Sequence, residues 1–518
     1  MNPPSSDPHV FLVGAGPGAA GLLTLRAAEV LARADLVVHD QLVPRRILDL
    51  ANPGAEIICV RDLPGQHPEK YPHIYSLLVD RANLGQCVVR LKGGDPLVFG
   101  RGGEEAEALR AAGVAYEIVP GVTAALAASA FLDMPLTHRG YASAVALITG
   151  HELPSKPGNR IDWEALAKFP GTLAIYMGIA RLPLIVAELI RFGKRPETPA
   201  CVVERAGTGD MRSVTATLAS LDDARRQAGL EAPGLILIGE AVTHRRDPSW
   251  FESRPLFGQR VLVTRPRHQA ETMIQRLESL GAVTYHLPAV EIRPPTDPGP
   301  LDAAIRLLNN WQWIVFTSAN GVDFFVNRVK HLGLDLRVFG GVKLAAIGPK
   351  TAAALRGYHL EPDTTPPSTF SSEGLAATLA PHVAGTRVLL ARANRGREFL
   401  SEELSKTAVV DRVTVYDQID AADPHHEAYG LLRRGEIRFV ALSSSNVAKA
   451  VLAGFDETTN ARVRRGEIEL VAISPETGRA IRELGYPVAA EAERFTAEGL
   501  IDAVISLAKA RPHVPHPG

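Results

Sequence analysis

The chain has 518 residues, 46% of them hydrophobic and 22% charged, with a formal net charge of −1. That balance fits about three or four globular units and excludes a disordered or collagen-like chain. It also excludes a bulk field that would draw in nucleic acid, so any anion site has to be built locally.

Cys59, Cys87 and Cys201 are widely separated and show no CxxC spacing, which argues against a metal site and against a disulfide framework. A cytoplasmic compartment is the expected setting. No apolar run reaches the roughly 18 residues of a membrane span, so no membrane partner is expected. Residues 1–9 carry no signal-like pattern and, with 509–518, are expected to be disordered tails.

From residue 10, Val/Ile/Leu-rich runs alternate with helix-patterned stretches: HVFLVGAG, LLTLRAAEVLARA, DLVVHD, then CVVRLKGG and EEAEALRAAG. Such alternation predicts an α/β chain with a largely parallel sheet. The polar, Pro- and Gly-rich HELPSKPGNRID marks a boundary between subdomains of about 10–150 and 160–245. GTLAIYMG, ACVVERAG and GLILIGEAV follow as strands, and 246–257 is read as a linker. From Gly258 to 508 the sequence repeats itself. The stretch starting GQRVLVTRP is echoed from Gly385 by GTRVLLARA, WIVFTSANGV by RFVALSSSNV, and LAAIGPKTAAAL by LVAISPETGRAI. Ile347 and Ile473 are 126 residues apart, and Ser318 and Ser443 are aligned at 125. A period this long means a duplicated α/β domain in two repeated lobes, with a ligand cleft expected between them.

Two glycine-rich strand ends carry the chemistry of the first part. Gly14-Ala15-Gly16-Pro17-Gly18-Ala19-Ala20 satisfies a dinucleotide fingerprint and suggests NAD, with Asp35 or Asp40 near the place of the ribose-binding acid. Pro17 counts against it, because it removes an N–H where a pyrophosphate wants donors. Gly93-Gly94-Asp95-Pro96 offers close backbone approach, an acid and a fixed turn. Without the Lys and Ser/Thr of a phosphate loop, it suits a positively charged nucleoside such as S-adenosylmethionine, or it is simply a tight turn.

VGAGPG, VVHDQLV, RLKGGDPLVFGRGGEE, VPGVTAA, MPLTHRG and IYMG, in that order over residues 10–245, resemble the uroporphyrinogen-III C-methyltransferases of the tetrapyrrole methylase family. The resemblance implies a two-subdomain α/β methylase. It also implies an S-adenosylmethionine pocket lined by Pro17, Gly93, Gly94, Asp95, Val98, Thr123, Ala124, Met177 and Ala206. Asp40 would be the proton acceptor, with a turn cap as its plain structural reading. Relatives of this part are dimers, which implies a homodimer through it. Arg101, His138 and Arg139 are candidates for the carboxylates of a tetrapyrrole substrate, each equally readable as surface charge. The lysine of the family pattern after the second strand is missing, because the chain reads Val60-Arg61-Asp62-Leu63 there.

Residues 258–508 resemble uroporphyrinogen-III synthases through VLVTRP, VFTSANGV, AAIGPKTAAAL, VTVYDQI and the FxxEGL pair at Phe370 and Phe495. The resemblance implies closure of hydroxymethylbilane without a cofactor. Tyr416 would be the acid or orienting group, or else a strand tyrosine whose hydroxyl reaches solvent. Ser318, Lys350, Ser443 and Thr477, at strand ends or helix starts, are candidates for holding substrate carboxylates. The two halves together imply a bifunctional enzyme making uroporphyrinogen III and methylating it to precorrin-2. The other readings are a synthase with an altered methylase, an NAD-dependent oxidoreductase and a non-catalytic tetrapyrrole carrier.

Overall fold

The computed structural model describes residues 9–65, 70–151, 161–396, 398–421, 423 and 425–511. Contacts group it into two compact units, one built mainly of the chain up to Val261, the other of Leu262–Ile274 with Tyr285–Val504. The expected tails lie mostly outside the described residues, although the last helix, Ala497–Ala510, runs into the second of them. Most of the predicted boundary segment, 152–160, also lies outside.

The first unit holds two sheets. Strands β1 (Val10–Gly14), β2 (Leu36–His39), β3 (Glu56–Cys59), β4 (Val88–Lys92) and β5 (Tyr116–Val119) lie in the order β3-β2-β4-β1-β5, all parallel. Both central strands, β1 and β4, are buried along their whole length, as strands covered on both faces by crossover helices must be. Among those helices are Leu25–Ala32, capped by Thr24 Oγ1 accepting from Ala27 N at 3.2 Å, and Gly102–Ala111. The parallel arrangement delivers all five carboxyl ends to one edge, where such sheets bind ligands.

In the second sheet, β6 (Val145–Thr149), β7 (Thr172–Tyr176), β8 (Pro199–Glu204), β9 (Arg212–Thr217) and β10 (Gly234–Ile238) lie in the order β6-β7-β10-β8-β9. Only β6 and β7 are parallel. Helix Leu182–Arg191 covers it through Leu182, Ile185, Val186 and Leu189, the spacing of one helical face.

The segment read as a linker, 246–257, is instead part of this unit's core. Phe251 and Leu256 are buried, the Phe251 ring stands edge-on to Phe131 at 4.7 Å, and Trp250 Nε1 donates to Ala130 O at 2.7 Å. Its prolines suggested a solvated tether, but its aromatic side chains anchor it.

The remaining strands are β11 (Arg260–Val263), β12 (Val283–His286), β13 (Val290–Arg293), β14 (Trp313–Phe316), β15 (Lys343–Ala346), β16 (Arg387–Ala393), β17 (Val409–Asp420), β18 (Phe439–Leu442), β19 (Glu469–Ala472) and β20 (Ala490–Glu491). They form two five-stranded sheets, β12-β11-β18-β19-β20 and β13-β17-β16-β14-β15. In the repeat, β11 and β12 correspond to β16 and β17, and β14 and β15 to β18 and β19. Neither lobe is therefore one copy. Each joins the opening strands of one copy to the later strands of the other, which corrects the expectation of two lobes made by two successive repeats. The physical reason is that similar copies present similar edges, so β11 pairs with β18 in the same way that β16 pairs with β14, as in domain swapping. The chain crosses between lobes twice, and the crossings pair with each other. β13 runs antiparallel to the end of β17, from Val290 opposite Asp420 to Arg293 opposite Asp417.

Because each lobe needs strands from both copies, fragments 258–384 and 385–508 produced separately are expected to show no cooperative thermal unfolding, whereas mixing them restores it. A fragment that melts cooperatively alone, followed by circular dichroism, would contradict the exchanged topology.

Candidate functional site

At the carboxyl edge of the first sheet, the loops after β1, β4 and β5 lock together through their backbones. Ala15 N donates to Lys92 O at 2.7 Å, Gly16 N to Gly94 O at 3.1 Å and Gly94 N to Gly16 O at 2.7 Å. A Cβ on Gly121 would fall 2.2 Å from Gly94 O, and one on Gly14 2.6 Å from Gly121 Cα, so only glycine lets these segments meet. These bonds also answer the NAD reading. The amides of Ala15 and Gly16 serve the neighbouring loop, and a single 3-10 turn, Ala20–Leu22, separates it from the α-helix that begins at Leu25, so no α-helix N-terminus stands directly behind the loop to receive a pyrophosphate.

Asp95 completes the lock. Its Oδ1 accepts from Leu97 N at 2.9 Å and its Oδ2 from Gly121 N at 3.0 Å, which pins the loop after β5 to the Gly93–Pro96 turn. Each oxygen retains a lone pair for a ligand. Gly93 is exposed, and an added Cβ there would meet only Leu42 Cβ, at 3.9 Å. Internal packing therefore does not demand this glycine, and the backbone beside it stays open to a ligand.

Pro17, Gly93, Gly94, Asp95, Val98, Thr123 and Ala124 are thus gathered at one edge. The second sheet adds the other two predicted positions. Thr123 Oγ1 lies 2.7 Å from Tyr176 Oη, which also accepts from Ala125 N at 3.0 Å, and Met177 follows that tyrosine with 54% of its surface exposed. The Phe99 ring packs on Tyr176 at 5.0 Å. Ala206 stands on the loop whose Thr208 lies 3.4 Å from a Cβ built on Gly18. Phe99, Arg101, Met177 and Arg205 all have φ between 50° and 59°. Such strained conformations in bulky residues collect where function over-determines the backbone.

Asp40 does not cap the next turn. Its carboxylate pairs with the Arg90 guanidinium, the first member of a buried chain of charges. Arg90 Nε donates to Glu105 Oε1 at 2.9 Å, and Lys92 Nζ donates to the same oxygen at 2.9 Å. Arg90, Lys92 and Glu105 are 3%, 2% and 2% exposed, so their charges are held by one another and not by water. Burial pushes the Lys92 ammonium down from its ordinary value, helped by repulsion from Arg90. Burial also opposes the charge of Arg90, but Glu105 and Asp40 outweigh it and the guanidinium is held above its ordinary value. The sequence offered a signal for this cluster: charges at 90 and 92 share one face of an otherwise apolar strand, with an acid in the first turn of the next helix.

The remaining candidates of this unit stand apart. Arg101 lies over the Tyr71 ring at 3.5 Å and donates to Glu104. His138 stacks on His244 at 4.5 Å, and among the described residues no bond joins it or the exposed Arg139 to the strand-end loops. Arg61 is exposed, 3.5 Å from Asp62.

In the second unit, Tyr416 is 4% exposed, not solvent-facing, and its Oη lies 3.1 Å from Ser318 Oγ. A bulge where β16 pairs with β17, after Arg392, turns both Val415 and Tyr416 inward, and the Tyr416 ring stacks on Phe324 at 5.6 Å. Ser318 Oγ also caps helix Ala319–His331 by accepting from Gly321 N at 2.9 Å. Its structural counterpart is Ser444, which caps helix Ser445–Leu452, and not Ser443. The spacing is 126 residues, the same as between Ile347 and Ile473, and it corrects the alignment at 125. Thr477 is 2% exposed, with its hydroxyl 3.2 Å from Ser474 Oγ, so it faces the lobe interior. Lys350 stands in the first turn of helix Pro349–Gly357, where burial and the Arg265 charge push its ammonium down.

Fold and site together define an α/β protein of two parts, a glycine-locked methylase-like pocket followed by an exchanged two-lobed synthase. The family described as Tetrapyrrole (Corrin/Porphyrin) Methylases matches residues 9–222, and the family described as Uroporphyrinogen-III synthase HemD matches residues 271–502. Similar relatives include the porphyrin biosynthesis protein HemD of Ruminiclostridium josui, 33% identical over 96% of this chain and 98% of that one. Another is the uroporphyrinogen-III C-methyltransferase of Bacillus subtilis, 36% identical over 68% of this chain and 74% of that one. Among solved structures, a uroporphyrin-III C-methyl transferase of Thermus thermophilus complexed with S-adenyl homocysteine is 42% identical over 45% of this chain and 99% of that one, with a TM-score of 0.39. The chain belongs to the family of enzymes that join a tetrapyrrole methylase to a uroporphyrinogen-III synthase.

Removing the central acid by Glu105→Ala leaves two buried cations without their shared partner. The expected cost is about 3–5 kcal/mol, read as roughly 150- to 4,000-fold faster hydrogen exchange of the β4 amides. Exchange within threefold of the parent would show that the cluster does not hold the strand.

Proposed function

We propose that the C-terminal part closes hydroxymethylbilane to uroporphyrinogen III, and that the N-terminal part methylates this product at C2 and C7 to precorrin-2, on the way to sirohaem or cobalamin. The observation that carries the reading is the presence, in one chain, of an exposed, unobstructed Gly93 backbone beside Asp95 and a buried Tyr416–Ser318 pair, within matches to a tetrapyrrole methylase family and a uroporphyrinogen-III synthase family. The work is cytoplasmic, with the N-terminal part as the dimer contact. Among the described residues no helix is long and apolar enough to cross a membrane.

The opening suits S-adenosylmethionine: the backbone at Gly93 leaves room, Asp95 keeps lone pairs for hydroxyl or ammonium donors, and Met177 offers an exposed apolar contact. When bound, that group supplies the methyl. The residues of the chain contribute orientation, through loops that are locked before any ligand arrives, and a base. Asp40, fixed by Arg90, takes the proton released when the methylated pyrrole regains conjugation. In the synthase part, Tyr416 Oη donates a proton to the departing hydroxyl of the linear substrate, which leaves as water, and Ser318 orients that phenol. Lys350 holds a substrate carboxylate.

Asp95→Ala is expected to abolish the calorimetric heat of S-adenosylhomocysteine binding while ring closure stays within threefold. Tyr416→Phe should do the converse, lowering closure about 100-fold or more. Equal loss of both activities in either variant would refute separate sites. Uroporphyrinogen III supplied directly, and recovered without added methyl groups, would refute the methylase half alone.

A further inference from the structure

Arg265, in Val263-Thr264-Arg265-Pro266, has so far been assigned nothing. It follows β11, and its repeat counterpart is Arg392, in Leu390-Ala391-Arg392-Ala393. The two differ in one respect. Arg392 is neutralised by Glu398 at 3.0 Å and also donates to Gly396 O, whereas Arg265 meets no carboxylate among the described residues. One of its terminal nitrogens donates to Gln269 Oε1 at 2.9 Å, and its Nε is buried without a partner. Gln269 Nε2 in turn donates to Asn320 Oδ1 at 3.3 Å, in the first turn of the helix that Ser318 caps. The unneutralised arginine of one lobe is thereby tied to the helix start that carries Ser318, and so Tyr416, in the other.

A second cation stands at the same sheet edge: β14 pairs in parallel with β15, so the helix that Lys350 opens, Pro349–Gly357, starts beside the helix that Ser318 caps. Lys350 belongs to the Tyr416 lobe and also meets no carboxylate among the described residues, and the charge of Arg265 acts on it. Arg265, with its buried Nε, and the like charge of Lys350 oppose each other at a cost that an arriving anion removes. A guanidinium with free N–H groups offers the forked geometry that a carboxylate accepts.

We propose that Arg265 and Lys350 form a carboxylate clamp spanning the two lobes, which grips an acetate or propionate side chain of the linear tetrapyrrole and holds its reacting end beside Tyr416. This rests on the synthase reading above. The bound carboxylate relieves the repulsion between the cations, so substrate draws the lobes together where the empty site holds them apart.

In the full chain, Arg265→Gln is expected to raise the KM for hydroxymethylbilane about tenfold or more, the loss of a charged hydrogen bond, with kcat within threefold. Arg265→Lys should recover part of the loss, and Arg392→Gln should leave KM unchanged. Lys350→Gln should raise KM too, and the double variant should do so by less than the product of the single effects. A parental KM in Arg265→Gln overturns the clamp. Should Arg265→Gln fail to fold by circular dichroism, Arg265→Lys and Lys350→Gln decide by the same readings. If the parent chain closes no ring, the synthase reading falls. The clamp is then judged by calorimetry with a linear bilane lacking the terminal hydroxymethyl group: tenfold weaker binding to Arg265→Gln supports it, and equal affinity overturns it.

Discussion

Three stretches of main chain meet at the edge of the first sheet with no side chain between them, and the architecture of the N-terminal unit follows from that contact. With Gly14, Gly94 and Gly121 at this junction, carbonyls and amides of neighbouring loops reach one another directly, and Asp95 clasps the arrangement with both oxygens. The strain at Phe99, Arg101, Met177 and Arg205 is sustained because the surrounding loops are already fixed. Behind them, the Arg90–Glu105–Lys92 cluster anchors β4 in a dry core and presents Asp40 at its outer end. The same buried charges that hold the strand also fix the Asp40 carboxylate.

The C-terminal unit solves a different problem. Its candidate groups come from strand ends and helix starts of lobes that are joined by paired crossings, and two of its cations, Arg265 and Lys350, meet no carboxylate among the described residues. A substrate that is flexible and heavily carboxylated needs a site that gathers it, and charges that are neutralised only on its arrival can do that. The contrast between Arg265 and Arg392 shows one copy of a duplicated motif committed to structure and the other released from it.

Much of this was legible in the sequence, because the signals were local. Continuous apolar runs ending in glycines mark parallel strands and their ligand edge, and Pro17 already told against a dinucleotide. The loops that carry Pro17, Gly93–Asp95, Val98, Thr123 and Ala124 meet at one strand edge. What the sequence hid depended on long-range pairing. A repeat shows that two copies exist, but not whose strands pair, because equivalent edges look alike in one dimension. The 246–257 segment showed its prolines, while the destination of Phe251 lay more than a hundred residues away at Phe131. The side chain of Asp40 reads as a proton acceptor or a turn cap, and nothing local shows that Arg90, fifty residues on, pairs with it. The one-residue slip at Ser443 came from matching letters instead of helix caps.

The paired crossings have a mechanical consequence. A single connecting strand would let two lobes swivel freely, but two strands hydrogen-bonded to each other resist torsion and yield mainly by flexing along one direction, like the leaf of a hinge. Twisting one lobe against the other therefore strains this ladder more than bending along it does, which biases the alignment of the two lobes toward one path of opening.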